Sequence, residues 1–248
     1  MHIPFITFPI VREIITTFDR DIASLGLNEA MGNVLRKLDA KLFISTHKAT
    51  EKVLKKEAVI VVANHPHGIE PMVLFASMPS RKDSFVIANE QFLSISKALD
   101  KHIIPVSIQH ALDKSEKHKK RIKFIRTIRP VERISIDQAK KQNLKSIETA
   151  RQKLEAGSLV LIFPGIDFGR EWLPGIGRMI QGLQTNRKIY IVGAHINGTT
   201  KYEFLRLVPI IRKSVPSISV YFSKPKPVNH LSNKPLEIIL KDLQSDYE

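Results

Sequence analysis

Four short runs in the middle of the chain, at residues 59–63, 85–88, 159–163 and 189–194, are apolar and rich in β-branched side chains, with no polar residue alternating through them. A strand of this kind needs apolar cover on both faces, which is the habit of parallel sheets buried between helices. Helical patterns lie between the runs. The clearest spans 143–156, with Leu144, Ile147, Ala150 and Leu154 facing inward and Gly157 as its stop. Residues 204–210 and 217–222 read as later strands, and a short helix is expected over 234–243. The alternation predicts an α/β domain whose mixed, largely parallel sheet is flanked by helices. At 248 residues, 43% of them hydrophobic, the chain is long enough for one substantial core.

Ahead of the first run, residues 9–25 read as a helix, with Pro9 in its first turn and Gly26 beyond its end. Phe8, Val11, Ile15, Phe18, Ile22 and Leu25 form one apolar stripe along it. A second helix starts near Asn28, with Met31, Val34, Leu35 and Leu38 on its inner face. These stripes fit two uses: covering the domain core, or lying in a lipid headgroup layer. The expected organisation is an N-terminal amphipathic helical segment over 1–40 and a second unit over 41–248. No stretch supplies the roughly 20 mostly apolar residues that cross a bilayer. No basic region precedes the apolar start, so the chain is expected to stay in the cytosol.

Charge narrows the partners. There are 39 Lys and Arg against 24 Asp and Glu, a formal net charge of +15. Such a chain attracts phosphate, whether of nucleic acid, anionic lipid or coenzyme A. Nucleic acid is not expected, because no binding module is recognisable and aromatics are only 7%. Residues 114–129 gather Lys117, Lys119, Lys120, Arg121, Lys123, Arg126 and Arg129 around Ile122, Phe124, Ile125 and Ile128. This segment reads either as a solvated helix face or as a basic patch for a phosphate-rich surface. The absence of cysteine excludes disulfides, thiolate catalysis and cysteine-bound metal.

The run Asn64-His65-Pro66-His67-Gly68-Ile69-Glu70-Pro71 carries the chemistry. It follows a buried strand, and the carboxyl ends of such strands are where α/β sheets bind ligands. Pro66 fixes one backbone angle and Gly68 permits a tight turn, so Glu70 can return against His65. A carboxylate on one imidazole nitrogen sets the tautomer and steadies the imidazolium. The other nitrogen is then free to take a proton from a hydroxyl, a contribution of typically 10²–10⁴-fold. His65 and His67 also form a His-x-His pair of the metal-binding kind, but a further acid and His do not follow at the spacing such sites use.

Asn64-His65, four residues, then Glu70-Pro71 resembles the Asn-His-four-residues-acid block of the lysophosphatidic acid acyltransferase type, within the glycerolipid acyltransferase superfamily. Most members have Asp at the acid position, and Glu is a known variant. The likeness continues in order along the chain. Val131-Glu132-Arg133 looks like the second block, whose Arg helps hold an acceptor phosphate. The approach through Leu154-Glu155-Ala156-Gly157 to Phe163-Pro164 looks like the third. Trp172-Leu173-Pro174-Gly175-Ile176-Gly177-Arg178-Met179 is similar to the Gly-rich helix start after it, residues 189–198 to the fourth block, and residues 221–228 to the closing strand and prolines. Two departures stand out. Gly165 and Ile166 replace the Glu and Gly of the third block, with Asp167 or Glu171 as stand-ins. His65-Pro66-His67-Gly68 is also similar to type-two diacylglycerol acyltransferases, which lack this acid placement.

The resemblance implies a glycerol-3-phosphate acyltransferase-like fold and acyl transfer from acyl-CoA or acyl carrier protein to a lysophospholipid hydroxyl. No metal and no cofactor beyond that co-substrate is implied. His65 and Glu70 are the implied catalytic pair. Asn64, Arg133, Pro164, Gly165, Arg170, Gly175 and Arg178 are the candidate substrate contacts, the three arginines for an acceptor phosphate. The implied location is the cytoplasmic face of an anionic membrane, bound peripherally. Rival readings are a neutral-glycerolipid acyltransferase, a thioesterase, and a non-catalytic basic protein that binds lipid or nucleic acid.

Overall fold

A computed structural model describes residues 9–93, 96–107, 134–165, 172–207 and 214–247. Its centre is an eight-stranded sheet of β1 (Leu42–Ser45), β2 (Ala58–Ala63), β3 (Ser84–Asn89), β4 (Ile103–Val106), β5 (Leu159–Ile162), β6 (Ile189–Asn197), β7 (Ile218–Phe222) and β8 (Lys226–Pro227). The order is β1-β7-β6-β2-β5-β3-β4, with β8 beside β6. β2 lies at the middle, parallel to β5 on one side and to β6 on the other. β7 is antiparallel to β6, so the sheet is mixed but mostly parallel. The chain first builds outward from β2 to β3 and β4, returns as β5, then crosses to the far side of β2 as β6. The carboxyl ends of β2, β5 and β6 therefore meet where the winding reverses, the usual ligand position in open α/β sheets.

Helices cover both faces. They are α1 (Pro9–Leu25), α2 (Leu27–Lys37), α3 (Lys48–Lys56), α4 (Glu70–Ser77), α5 (Lys97–Asp100), α6 (Ile136–Glu155), α7 (Gly175–Ile180) and α8 (Leu236–Tyr247). Alternation along β2 divides the core. Val59, Val61 and Ala63 join a cluster with Ile22, Met31, Leu35, Leu54, Leu74 and Phe75, from α1 to α4. Ala58, Ile60 and Val62 join a second cluster with Ala150, Leu154, Ile176, Met179 and Ile239, from α6, α7 and α8. All six β2 side chains are buried, as an uninterrupted apolar run requires. Burying a side chain such as Leu74 or Phe75 contributes about 1.5–3 kcal/mol, which anchors α4 against the sheet.

Of the apolar stripe on α1, Ile22 is buried in this core and Phe18 packs against it, while Leu25 is exposed. In α2, Leu27, Met31, Val34 and Leu35 are buried. Asn28, also buried, donates to the carbonyl of Phe75 at 2.8 Å and so closes the end of α4. Asp19 of α1 accepts from Ser96 Oγ at 2.6 Å and from the Ala98 N–H at 3.0 Å, which ties α1 to α5. Gly26 sits between the two helices at φ 88°, a conformation that favours glycine. No helix among the described residues is long and apolar enough to cross a membrane.

Several expected elements shift. The helix expected over 143–156 begins earlier, at Ile136, because Ser135 and Gln138 form a reciprocal cap at 3.2 and 2.8 Å. Leu144, expected inward, is 50% exposed. The strand expected over 204–210 is not there in its described part: Glu203–Leu207 is a 3₁₀ turn. Arg206, 3% exposed, pairs with Glu203 at 2.6 Å and donates to the Pro216 carbonyl at 2.6 Å. Those local bonds outweigh the β-propensity of the apolar residues around them. Residues 208–210, and the basic segment 114–129, lie outside the described residues.

Candidate active site

The site forms where β2 leaves the sheet. Ala63 is the last residue of β2 and pairs with Ala194 of β6. Asn64 continues the ladder with its side chain: Nδ2 donates to the Ile196 carbonyl at 2.8 Å, and Oδ1 accepts the Ile196 N–H at 2.8 Å. The amide is thereby committed to β6 backbone rather than turned toward a substrate. It fixes the point from which the next residue projects.

That residue is His65. Its Nδ1 lies 2.9 Å from Glu70 Oε2, and its side chain is 36% exposed while that of Glu70 is 0%. The return is made by Pro66 and by Gly68, whose φ of 114° favours glycine. Glu70 opens α4, where the positive end of the helix dipole favours a carboxylate. Its carboxylate accepts three further bonds. The Gly68 N–H reaches Oε2 at 2.6 Å, the His67 N–H reaches Oε1 at 3.1 Å, and the Thr199 hydroxyl reaches Oε1 at 2.8 Å. Burial works to raise the pKa of Glu70, but these hydrogen bonds, led by the one from His65, prevail and hold it at about 2. Glu70 is therefore ionised at neutral pH. The His65 ring rests on Phe163 with centroids 4.5 Å apart. With Nδ1 turned to Glu70, Nε2 is the nitrogen presented outward.

No protein-family model matches the chain, and no curated protein matches it. Among solved structures, the chain is similar to the 1-acyl-sn-glycerophosphate (LPA) acyltransferase PlsC from Thermotoga maritima. The match covers 96% of each chain at 13% identity, with a TM-score of 0.42.

The remaining candidates divide. Pro164 and Gly165 follow β5 at the same end of the sheet as His65. The Pro164 carbonyl accepts the Leu173 N–H at 2.8 Å, and Gly165 pairs with Trp172. Gly175 is the first residue of α7, with open space where a side chain would be. Arg178 lies on α7, which packs in the layer of α6 and α8. α6 bonds to the carboxyl end of β4 through Ser146, at its middle, and leads into β5 at its finish, so Arg151, between the two, lies nearer the amino ends of the strands. Arg151 donates to the Arg178 carbonyl at 3.0 Å. Both arginines line a groove of about 420 Å³ with Leu144, Glu148 and Leu236, in the helix layer opposite Phe163 and Glu70. Arg133 and Arg170, like Ile166, Asp167 and Glu171, lie outside the described residues.

Two residues of the site escaped the sequence reading. Phe163 reads as a strand end and as part of the approach to the third block, but not as a site residue, although an aromatic at a strand's exit is a ready wall for an imidazole. Thr199 is 129 residues from Glu70 in sequence and belongs to no local motif. Its one sequence signal is the Asn197-Gly198 pair before it, which marks a turn at the end of an apolar strand. Behind Asn64, Tyr247 of α8 stacks on His195 at 4.3 Å and meets Trp172 edge-on at 5.4 Å. Its hydroxyl donates to the Ala194 carbonyl at 3.0 Å, and burial pushes it up to about 12. Among the described residues, no three of His, Asp and Glu converge as metal ligands.

Proposed function

We propose that this chain is an O-acyltransferase that moves a fatty acyl group from a thioester of coenzyme A or acyl carrier protein to a lysophospholipid or related glycerolipid hydroxyl. The observation that carries the reading is the outward imidazole of His65, held through Nδ1 by a buried, ionised Glu70. His65 Nε2 takes the acceptor's hydroxyl proton as that oxygen adds to the thioester carbonyl carbon. Backbone N–H groups near Pro164–Ile166 are the proposed donors to the resulting oxyanion. The intermediate collapses with cleavage of the carbon–sulfur bond, and the departing thiolate takes the proton back from His65. Glu70 stabilises the imidazolium between these steps. The net charge of +15 supports work at the anionic cytoplasmic face of a membrane, where substrates of this kind reside. Arg133 and Arg170 are the proposed contacts to an acceptor phosphate.

The test is an acceptor screen with labelled acyl-CoA, read by mass spectrometry, with acceptors offered in anionic and in zwitterionic vesicles. Acyl transfer to lysophospholipid is expected, faster on anionic vesicles and slowed by salt. Transfer to mono- or diacylglycerol would move the acceptor to the neutral side. Release of free fatty acid alone would make water the acceptor and the protein a thioesterase. A folded His65→Ala protein that turns over like the wild type would remove the mechanism altogether.

A further inference from the structure

We propose that Thr199 is a positioning residue for the His65–Glu70 pair, anchoring the carboxylate from the end of β6. The inference rests on reading that pair as a general base and its orienting acid. Of the four donors to Glu70, three come from the segment that carries it: His65 Nδ1 and the N–H groups of His67 and Gly68. These three belong to the same turn as Glu70 itself. Thr199 comes from elsewhere, and its hydroxyl meets Oε1 at 2.8 Å with both side chains buried.

The direction of that hydroxyl is itself fixed. Gly198 precedes it at φ 86°, and a Cβ there would fall 2.0 Å from the Ser217 carbonyl oxygen. No other residue fits without moving the backbone that leads into β7. The Asn197-Gly198-Thr199 turn is thus pressed between β6 and β7, while Asn64 ties the other side of the site to Ile196. Oε1 receives Thr199 and the His67 N–H, which leaves Oε2 for His65 and Gly68. Thr199 thereby sets the plane of the carboxylate, and with it the aim of the imidazole.

The experiment compares Thr199→Val, which keeps the branched shape, with Thr199→Ser, which keeps the hydroxyl, and with the smaller Thr199→Ala in case valine does not fold. The substrate-free readout is titration of the Glu70 carboxyl by carbon-13 NMR. Removing one donor and placing a methyl group beside a carboxylate should move the titration to higher pH in the valine or alanine protein, and serine should restore it. In acyl transfer, kcat should fall about tenfold with KM little changed, and serine should recover most of the loss. A Glu70 titration in the valine and alanine proteins that superimposes on wild type would overturn the inference and leave the general-base reading untouched. Equal loss of kcat in the serine and valine proteins would also overturn it, since Thr199 would then serve only the fold. If wild type shows no acyl transfer with any acceptor, that reading fails, and the titration still decides whether Thr199 holds Glu70.

Discussion

His65, just past β2, and His195, on the neighbouring β6, stand at the same end of the sheet, yet of the two only His65 meets a carboxylate. The pairing of Ala63 with Ala194 puts them about one residue apart in register. His65 turns to the layer of α1, α2 and α4, finds the buried carboxylate of Glu70, and keeps a third of its side chain exposed. His195 turns to the layer of α6, α7 and α8 and stacks on Tyr247. Burial lowers its pKa, and the backbone of Tyr247 only partly offsets that, so it is neutral at neutral pH. Neighbouring positions at a strand end thus carry different chemistry because of what each face packs against. Location alone does not make a base; a charge-bearing partner on one ring nitrogen and an open path to the other do.

The largest effect should come from exchanging partners. Glu70→Gln keeps the shape of the side chain but removes the charge that orients His65. Acyl transfer should fall by about 10²–10⁴-fold, as should happen in His65→Ala. His195→Phe keeps a ring against Tyr247, and its turnover should stay within about threefold of wild type, since a surface-layer stack contributes to packing and not to the reaction. Comparable losses in the His195 and His65 proteins, at equal helix content by circular dichroism, would erase the distinction between the two faces.

A smaller effect tests the charge through stability. Glu70 ionises at about 2 in the folded protein against an ordinary 4.5, so the folded state favours the charged form. A lowered carboxylate pKa adds stability that is fully present above about pH 4.5 and is lost as pH falls toward 2. The difference in unfolding free energy between wild type and Glu70→Gln should therefore be widest near neutral pH and narrow steadily below 4.5. Urea unfolding at a series of pH values reads it directly. A gap independent of pH would mean that the bonds from His67, Gly68 and Thr199 serve packing rather than the carboxylate's charge.

How much of this was legible beforehand follows from how local each signal is. The buried strands β2, β3, β5 and β6 announce themselves by composition, and α1 and α2 by their stripes and by Gly26. β1 and β4 escaped because each has four residues, and β1 is mostly exposed at the sheet's edge. The return of Glu70 to His65 was legible because Pro66 and Gly68 lie between them. Thr199 was not, because a contact made across 129 residues leaves no mark in any window. The side of the sheet on which α7 packs was not legible either, because Ile176, Met179 and Ile180 meet α6 and α8 only in the folded chain.

The smallest effect belongs to the aromatic side of the comparison. Tyr247→Phe removes the hydroxyl that donates to the Ala194 carbonyl while keeping the ring between His195 and Trp172. One neutral hydrogen bond contributes about 0.5–1.5 kcal/mol, which corresponds to a fall in Tm of about 2–4 °C per kcal/mol in a chain of this size. The Ala194 carbonyl left without this donor belongs to the strand that Asn64 grips two residues further on. If that strand end is held mainly by Asn64 and the sheet ladder, acyl transfer should be unchanged within about twofold while Tm drops. Trp172 fluorescence should also be unchanged, since the edge-on contact needs only the ring. A loss of activity larger than the loss of stability explains would mean that the aromatic stack steadies Asn64, and through it His65, so that the two faces act as one site.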